Sequence, residues 1–559
     1  MYILGISCFY HDSAACLLKD GKIVAACQEE RASRIKHDWH FPAESINYCM
    51  KEAGISSDQL ACVVFHEKPL LKFERVLETF LSTAPLGYRA FVDSIPSWLK
   101  QKLQLPRIIS KHMTPAPKLL YSGHHLSHAA SAYFASPFDR AAILTIDGVG
   151  EWATASYGHA EGTRLETTNE MRFPHSLGLL YSAVTAFLGF RANHDEYKIM
   201  GMAPYGRPAY KDIFEKKLAQ VMKDGSIRLN MDHFTFQYGR SMIDPSGFLR
   251  LFGIPVRRSD DDISDVHYDI AASLQDFTET VVLKMAENVH TRTGMKNLCL
   301  SGGVALNCVA NSRLLREGPF DDIFVQPAAG DAGAALGAAY AANYLHFGEK
   351  ERTPLESLYL GPSYRNEEIS DLLRRMKINF SMHDDEALIE RTAGLLAEKK
   401  VVGWFQGRME FGPRALGNRS ILADTRSPEM KDIVNSKIKF RESFRPFAPV
   451  VTEEDASSYF SIDRPSPYML FTKPVISRDI PAITHVDGSA RVQTLSQNAN
   501  PRLYLLLRQY EKLTNLPVLM NTSLNIKSEP IAMTPSDAVN CFNDSKLDAL
   551  VLENCLILK

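Results

Sequence analysis

The 559-residue sequence lacks several features that define other classes of protein. Its nine cysteines form no CxxC pair, which argues against zinc fingers and favours reduced thiols in a cytoplasmic protein. The sequence has no apolar run long enough to span a bilayer and no signal-peptide pattern, so we expect no membrane association. The net charge is only −2, from 63 basic and 65 acidic residues, so we expect no nucleic-acid partner.

The pattern along the chain predicts two α/β units, because the chain is too long for one hydrophobic core. Residues 1–352 alternate strand hairpins, Gly-rich turns and helices in two similar lobes, with a helical subdomain inserted near residues 70–113. Charged residues, proline and glycine become frequent together around residues 348–366. Residues 358–559 then form a second α/β domain of ordinary size. We expect a monomer or a homodimer.

Two histidines in "GHHLSHAASAYFASPF" are the first candidate metal ligands. His124 and His128 are four residues apart, so on a helix both imidazoles project from one face. Asp147 ends the buried strand in "TIDGVGEW", and Asp331 lies in "AAGDAGAALG". Each of these aspartates alone is more often a cap or turn residue. Together the four residues favour a site for Fe(II), Mn(II) or Zn(II) with open coordination positions.

Three Gly-rich segments in the first unit predict nucleotide or phosphate binding. They are "SCFYHDSAA", "DGVGE" and "SGGVALN". Glycines let backbone amides approach an anion, and a helix N-terminus favours negative charge. Their order, two hairpin turns followed by GGxxxN and GDxGxAxG, indicates the fold of actin, sugar kinases and Hsp70. In that fold two such turns flank phosphates and a later Gly pair holds adenosine.

Longer motifs resemble one family, the O-carbamoyltransferases of antibiotic, nodulation-factor and toxin biosynthesis, with tobramycin carbamoyltransferase as the close functional model. In the first unit these motifs are "HHLSHAASAYFASPF", "TIDGVGE", "DEYKIMGMAPYG" and "LSGGVALN". In the second unit they are "GRMEFGPRALGNRSILAD", "KFRESFRPFAPVV", "HVDGSARVQTL" and "NTSLNIKSEPI". The matches cover nearly the whole chain in a fixed order.

The resemblance implies a fold and a reaction for each unit. The first unit resembles the universal tRNA threonylcarbamoyl transferase subunit, which has an actin-like (ASKHA, RNase H-like) two-lobed α/β fold. The second resembles the YrdC-type α/β domain that makes carbamoyl adenylates. ATP, with Mg(II), and carbamoyl phosphate would give carbamoyl-AMP in the second unit. The first unit would then transfer the carbamoyl group to a hydroxyl of a small-molecule natural product, with a divalent metal, expected to be Fe(II).

The family pattern assigns roles to residues of the first unit. It gives the metal to His124, His128, Asp147 and Asp331. Phosphate, ribose or adenosine contacts fall to Gly148, Val149, Gly150, Glu196, Lys198, Gly302, Gly303 and Asn307. His11 is the candidate general base for the acceptor hydroxyl, because a neutral imidazole can take a proton near neutral pH. Asp12 adjoins it, and Lys36 is expected nearby to steady developing negative charge. His37 and His194 are expected to be bystanders.

The second unit concentrates fixed positive charge that suits phosphorylated substrates. Arginine can hold phosphate oxygens with two hydrogen bonds, and lysine supplies a compact charge. The binding set implied by the resemblance is Arg414, Lys439, Arg445, Arg491, Asn521 and Ser523. Arg441 and Arg419 are further candidates, and Arg419 is expected to be a structural ion-pair partner.

Three alternatives remain beside this interpretation. A hydrogenase-maturation carbamoyltransferase shares both modules but carries an acylphosphatase domain and Cys-rich zinc fingers. A tRNA-threonylcarbamoylation enzyme would need a basic face. A non-catalytic actin-like nucleotide-binding module would leave the HxxxH pair and the Arg/Lys cluster unexplained. The acceptor, whether a sugar, a macrolactone or an alkaloid alcohol, is not named by the sequence.

Overall fold

A computed structural model describes the whole chain, Met1–Lys559. The chain divides into two compact units, Met1–Glu29 with His37–Leu355 and Glu30–Lys36 with Glu356–Lys559. A short segment near the start of the chain therefore belongs to the second unit. All nine cysteines are buried with free thiols. None of the helices combines the length and the apolar character that crossing a bilayer would need.

The first sheet of the first unit starts with a hairpin meander, as the short apolar runs on either side of the turn at Asp20 predict. Its strands are β1 (Tyr2–Ser7), β2 (Ala14–Lys19), β3 (Lys22–Gln28), β4 (Leu60–Phe65) and β5 (Leu119–Tyr121). The spatial order is β3-β2-β1-β4-β5. Strand β1 is antiparallel to β2 and parallel to β4, and β4 is parallel to β5.

The second sheet repeats this arrangement. Its strands are β6 (Arg140–Ile146), β7 (Ala153–Glu161), β8 (Arg164–Arg172), β11 (Asn297–Ser301) and β12 (Asp322–Val325). Between β8 and β11 the chain forms a separate two-stranded ribbon of β9 (Ala219–Val221) and β10 (Ile227–Leu229). The order is β8-β7-β6-β11-β12, again a meander followed by two strands parallel to its first strand. Two sheets with the same strand order confirm the predicted actin-like, two-lobed α/β fold.

The connections of the first unit are mostly helical. The helices are α1 (Glu29–Ser33), α2 (Ala43–Ala53), α3 (Pro69–Thr83), α4 (Tyr88–Lys100), α5 (Leu105–His112), α6 (His124–Tyr133), α7 (Leu177–Phe187), α8 (Glu196–Met202), α9 (Lys211–Ile213), α10 (Pro245–Phe252), α11 (Asp265–Thr293), α12 (Cys308–Glu317) and α13 (Asp331–Tyr340). Helices α3, α4 and α5 form the connection between β4 and β5, where the sequence predicts a helical insertion.

Helices α6 and α13 lie between the two sheets. Helix α13 packs against β1 and β2, α6 packs against β6 and β11, and the two helices pack against each other. The close approach depends on glycine. A Cβ on Gly5 would lie 1.9 Å from the carbonyl oxygen of Ala335, and one on Gly337 would lie 1.7 Å from that of Ser127. The sheets and these helices thus fix the N-termini of α6 and α13, where candidate ligands lie.

The second unit is a separate α/β fold around one mixed sheet. Its strands are β13 (Ser381–Met382), β14 (Val402–Phe405), β15 (Arg419–Asp424), β16 (Ala448–Thr452), β17 (Thr472–Pro474), β18 (Ser489–Arg491), β19 (Gln493–Leu495), β20 (Val518–Ser523), β21 (Ala549–Leu552) and β22 (Cys555–Leu558). Eight of them form the sheet β13-β22-β21-β14-β15-β20-β16-β19. The helices are α14 (Asn366–Arg375), α15 (Asp385–Ala397), α16 (Glu429–Ile433), α17 (Ala456–Tyr459), α18 (Pro501–Thr514) and α19 (Pro535–Asp544).

Candidate functional site

Four candidate ligands converge where strands of the first unit end. Helix α6 follows β5 and begins at His124, with His128 one turn further along. Asp147 directly follows β6, and Asp331 begins α13 after β12. Strands β6, β11 and β12 are parallel, so the loops after β6 and β12 lie at one edge of the second sheet, and α6, which follows β5 of the first sheet, packs against β6 and β11. The topology therefore brings together residues that are up to 207 positions apart in the chain (124 to 331).

The side chains of these four residues form one tight cluster. The Nε2 atom of His124 lies 3.0 Å from Oδ2 of Asp147, 3.2 Å from Nε2 of His128 and 3.7 Å from Oδ1 of Asp331. The Nε2 atom of His128 lies 3.5 Å from Oδ1 of Asp331 and 3.9 Å from Oδ2 of Asp147. One ligand atom from each residue lies within 4.8 Å of all the others.

The cluster fits a divalent cation. Both imidazoles direct Nε2 to the centre, and two imidazoles with two carboxylates are a donor set that Fe(II), Mn(II) and Zn(II) accept. The second carboxylate oxygen of Asp331 is buried without a hydrogen-bond partner. Burial alone would lower the pKa of His124, yet Asp147, Glu67 and Asp331 raise it to about 10. The surrounding carboxylates thus favour positive charge at this point.

Neighbouring groups hold the ligands in place. The backbone N–H of Gly303 donates to Oδ1 of Asp147 at 2.9 Å. The backbone N–H of His124 donates to Oε1 of Glu151 at 3.0 Å. A Cβ on Gly150 would lie 3.0 Å from the His124 side chain, so glycine allows the turn to pass close to the ligand. Glu67, which the sequence analysis did not single out, places Oε2 3.7 Å from Nδ1 of His124.

The turn between β1 and β2 carries the candidate base. His11 Nδ1 lies 3.0 Å from Oδ2 of Asp12, and His37 Nδ1 lies 2.7 Å from Oδ1 of the same carboxylate. Burial lowers the pKa of His11, but Asp331, the hydrogen bond with Asp12 and the charge of Asp147 raise it to about 9. His37, expected to be a bystander, is therefore a direct partner of Asp12. The residues next to His37 in the sequence, Asp38 and Trp39, do not indicate this contact, because Asp12 lies 25 positions away.

Other nucleotide candidates of the first unit already have protein partners. The side chain of Asn307 accepts from the Ala310 N–H as a helix cap and exchanges two hydrogen bonds with Gln275, at 2.9 and 3.1 Å. Glu196 accepts from the hydroxyl of Ser182 at 2.6 Å, and Lys198 pairs with Asp195 at 3.2 Å.

One of the Gly-rich turns requires glycine for its backbone conformation. Gly302 has φ +88°, in the region that favours glycine. A Cβ there would also lie 2.3 Å from the carbonyl oxygen of Ile146. Gly148 and Val149 continue directly from Asp147, so this turn and the Gly302 turn both adjoin the four-residue cluster.

In the second unit, Lys439 is buried beside the end of β20. Its Nζ donates to Oδ1 of Asn525 at 2.6 Å and to the hydroxyl of Ser523 at 3.2 Å. Burial, with Arg441 and Arg445 nearby, holds the pKa of Lys439 well below its usual range. The positive charge of Lys36 also lowers the pKa of Lys439. Lys36 lies in the segment Glu30–Lys36, which belongs to the second unit. From the sequence, Lys36 is expected near His11 of the first unit.

The loop that carries Arg414 is organised by one buried carboxylate. Oε1 of Glu410 accepts from the backbone N–H groups of Leu416 at 2.8 Å, Asn418 at 2.8 Å and Arg419 at 3.1 Å. Glu410 was missed by the sequence analysis, although it lies within the motif "GRMEFGPRALGN". Its role depends on backbone geometry that side-chain patterns do not encode.

The remaining candidates of the second unit lie on neighbouring strands and loops. Asn521, on β20, donates Nδ2 to Oε1 of Gln493 at 2.7 Å, and its Oδ1 is buried without a hydrogen-bond partner. Arg491 ends β18, and Arg445 pairs with Glu442 at 3.6 Å. Arg419 is fully buried and donates to four carbonyl oxygens, at 2.7 to 3.1 Å. These contacts give Arg419 a structural role through carbonyl oxygens, whereas the sequence predicts an ion pair.

Comparison with known proteins gives matches over most of the chain. The family model "Carbamoyltransferase N-terminus" matches residues 2–340, and "Carbamoyltransferase C-terminus" matches residues 393–559. An uncharacterised protein of Synechocystis sp. is 50% identical over 100% of this chain and 97% of its own length. Nodulation protein NolNO of Sinorhizobium fredii is 39% identical over 99% of this chain and 79% of its own length. Nodulation protein NolO of Bradyrhizobium diazoefficiens is 40% identical over 78% of each chain.

Proposed function

The chain belongs to the carbamoyltransferase family, and from that premise we propose that it is an ATP-dependent O-carbamoyltransferase. The second unit makes carbamoyl-AMP from ATP and carbamoyl phosphate, and the first unit transfers the carbamoyl group to a hydroxyl of a small molecule. The observation that carries this proposal is the buried cluster of His124, His128, Asp147 and Asp331 at the strand ends of an actin-like fold. A purely structural role would not require two imidazoles facing each other between two carboxylates.

The first step needs positive charge, because two phosphorylated substrates meet. One water molecule hydrolyses carbamoyl phosphate to carbamate and phosphate, and a carbamate oxygen then bonds to the α-phosphorus of ATP while pyrophosphate leaves. Arg414, Arg445 and Arg491 supply guanidinium groups in a chain of nearly neutral net charge. Lys439 lies against Ser523, so both can contact the same phosphate or carbamoyl group. The buried carbonyl oxygen of the Asn521 amide has no protein donor, which suits the amino group of the carbamoyl moiety.

The second step forms a bond between the acceptor oxygen and the carbamoyl carbon and breaks the bond from that carbon to the AMP phosphate oxygen. A divalent ion, Fe(II) in our proposal, would be held by His124, His128, Asp147 and Asp331 and would supply Lewis acidity. His11 takes the proton of the acceptor hydroxyl, and Asp12 orients its ring through Nδ1. Glycine at 150 and at 302 lets the two turns pass close to His124 and to Ile146 beside the cluster.

The proposal is tested by following the two steps separately. The purified chain receives ATP, carbamoyl phosphate and a panel of hydroxyl compounds, and pyrophosphate and carbamoyl adducts are measured by a coupled assay and by mass spectrometry. We expect pyrophosphate release with carbamoyl phosphate and a mass increase on some acceptors. Absence of pyrophosphate release in a folded protein would contradict the adenylate step.

A matched pair of variants assigns the first step to the second unit. Arg445→Ala should abolish pyrophosphate release but still carbamoylate an acceptor when given synthetic carbamoyl-AMP. Arg478→Ala, an exposed arginine of the same unit, should behave as wild type. If Arg445→Ala gave no product from synthetic adenylate while its fold and metal content were normal, the separation of the two steps would be wrong.

A further inference from the structure

The inserted helices bring three cationic side chains together. Lys72 and Arg75 lie three residues apart on one face of α3, and Lys102 follows α4. Lys72 is 3% exposed and Arg75 is 8% exposed, whereas lysine and arginine are seldom this buried without a partner. Helix α3 contacts the turn Lys102–Gln104, which brings the three cations to one part of the insertion. Burial, together with the charges of Lys72 and Arg75, lowers the pKa of Lys102 to about 8.

Two of the three cations have no anionic partner. Lys72 pairs with the buried carboxylate of Glu67. The guanidinium of Arg75 instead lies over the ring of Phe173, 4.9 Å from its centre, and its buried Nε has no hydrogen-bond acceptor. The ammonium of Lys102 lies over the ring of Trp98 at 4.4 Å. Burying charge in this way costs free energy that an added anion would offset.

The nearby acidic groups form no ion pair with Arg75 or Lys102. Glu67 faces Lys72 and His124. Glu151 is within electrostatic reach of Arg75, but its carboxylate accepts from the backbone N–H groups of Lys68 at 2.8 Å and His124 at 3.0 Å. Arg75 and Lys102 therefore lack a direct anionic partner.

Tyr10 connects the cations to the candidate active site. The Nζ of Lys72 lies 4.9 Å from the centre of the Tyr10 ring, and that ring lies 4.6 Å from the ring of His11. Burial and the charges of Asp331 and Asp147 raise the pKa of Tyr10 above its usual range, while Arg75 opposes the shift. Tyr10 is thus within electrostatic reach of both the four-residue cluster and Arg75.

We propose that Arg75 and Lys102 bind an oxyanion group, a carboxylate, sulfate or phosphate ester, of the hydroxyl acceptor. This inference rests on the proposed function, in which the acceptor hydroxyl meets His11 beside the cluster. The guanidinium of Arg75 can donate two parallel hydrogen bonds to an oxyanion, and Lys102 adds a compact charge. Lys72, neutralised by Glu67, positions Tyr10 between the anion and the reacting hydroxyl. Acceptors that carry an anionic group are therefore the preferred substrate class.

Binding of an oxyanion to Arg75 and Lys102 is tested without turnover, on the full-length protein and with inorganic sulfate as the probe. The emission of Trp98, taken as the difference between wild type and Trp98→Phe, should change saturably with sulfate. Arg75→Gln should raise the sulfate concentration at half-saturation at least about tenfold, since a charged hydrogen-bond partner is lost. Arg89→Gln, an exposed arginine of α4, is the matched control and should titrate as wild type.

An unchanged titration in Arg75→Gln, or no sulfate response of Trp98, would overturn the anion site. If Arg75→Gln fails to fold, Lys102→Gln is the second variant, because its side chain is only partly buried. Circular dichroism and thermal unfolding verify the fold of each variant.

The preference for anionic acceptors is tested with two compounds that carry the same hydroxyl groups and differ in charge, glucuronate and the neutral glucuronamide. Wild type should carbamoylate the charged compound with higher kcat/KM than the neutral one. Arg75→Gln should lower the charged-to-neutral ratio of kcat/KM at least about tenfold, and Arg89→Gln should keep it. If Arg75→Gln lowered kcat/KM equally for charged and neutral acceptors, the ratio would not change. Arg75 would then bind the phosphate of the adenylate and not the acceptor, and the proposal would be overturned. If no acceptor reacts at all, the proposed function fails while the sulfate result still decides the anion site.

Discussion

His128 is the residue through which metal binding can be separated from the rest of the chemistry. It is fully buried, and its Nε2 lies among three other donor atoms. Loss of an outer-shell partner typically weakens metal affinity about 10–100-fold, so loss of a ligand should cost more. His128→Ala should therefore lose bound metal, measured by plasma mass spectrometry, and lose carbamoyl transfer while still releasing pyrophosphate. His125→Gln is the control, because the His125 side chain forms a hydrogen bond with the hydroxyl of Ser156 and not with the four-residue cluster. This variant should keep its metal and its transfer activity. Full transfer by His128→Ala after chelator treatment would contradict the assignment.

His11 offers a second test at the same scale, through the pH dependence of transfer. Burial lowers its pKa, but Asp331 and Asp12 raise it to about 9 in the metal-free chain, and a cation bound to Asp331 would offset part of that rise. The neutral, proton-accepting form therefore gains as pH rises through the neutral range toward 9. Transfer by wild type should increase with pH over this range. His11→Asn should lower the rate about 10²–10⁴-fold and flatten the rise, with metal still bound. A wild-type pH profile in His11→Asn would move the base to another group.

The residues also show how far the sequence predicts the site. The spacing of His124 and His128, the aspartate after the strand in "TIDGVGEW" and the aspartate in "AAGDAGAALG" are local patterns, and the structure brings all four together. Contacts that depend on tertiary structure had no such signal. His37 bonds Asp12 from 25 positions away, and Glu410 acts on backbone N–H groups. Lys36 belongs to the second unit although its neighbours in the sequence belong to the first. Closeness in sequence therefore does not determine which hydrophobic core a segment packs against.

Among the elements, the packing of α6 on α13 connects the fold to the cluster, because each helix carries a ligand at its start. Alanine in a helix interior is usually better than glycine by about 0.5–1 kcal/mol. At Gly337 the added Cβ would lie 1.7 Å from the carbonyl oxygen of Ser127, so Gly337→Ala must displace α6. Overpacking of this kind costs about 1–3 kcal/mol. We expect a lower unfolding temperature and less bound metal in Gly337→Ala.

The matched control for this element is Gly394→Ala in α15. A Cβ there has no atom within 4 Å, so only the helix preference acts, and the unfolding temperature of the second unit should rise slightly. The sequence predicts both helices but not this difference, because both glycines lie inside Ala-containing helical patterns. If both variants were equally stable and bound equal metal, the close packing of α6 and α13 would not position the ligands.

For the whole molecule, the chain path predicts what happens when the two units are cut apart. Sequence composition places one boundary near residues 348–366, but the structure also assigns Glu30–Lys36 to the second unit. The side chain of Arg31 donates to the carbonyl oxygen of Gly412 at 2.8 Å. Arg34 donates to those of Ile531 at 2.8 Å and Pro530 at 2.9 Å. A fragment ending at Leu355 therefore still contains a piece of the second unit.

A protease site inserted between Leu355 and Glu356 tests this arrangement. After cleavage the fragments should co-elute on size-exclusion chromatography and keep both pyrophosphate release and transfer. Hydrogen bonds from charged donors contribute about 1.5–3 kcal/mol each, so Arg31→Ala with Arg34→Ala should weaken the association by orders of magnitude and let the fragments separate. Arg89→Ala with Arg107→Ala, two exposed arginines elsewhere in the same fragment, should leave the fragments together. Separation of the cleaved wild-type fragments without denaturant would show that the segment Glu30–Lys36 does not hold them, since its three hydrogen bonds remain available in that protein.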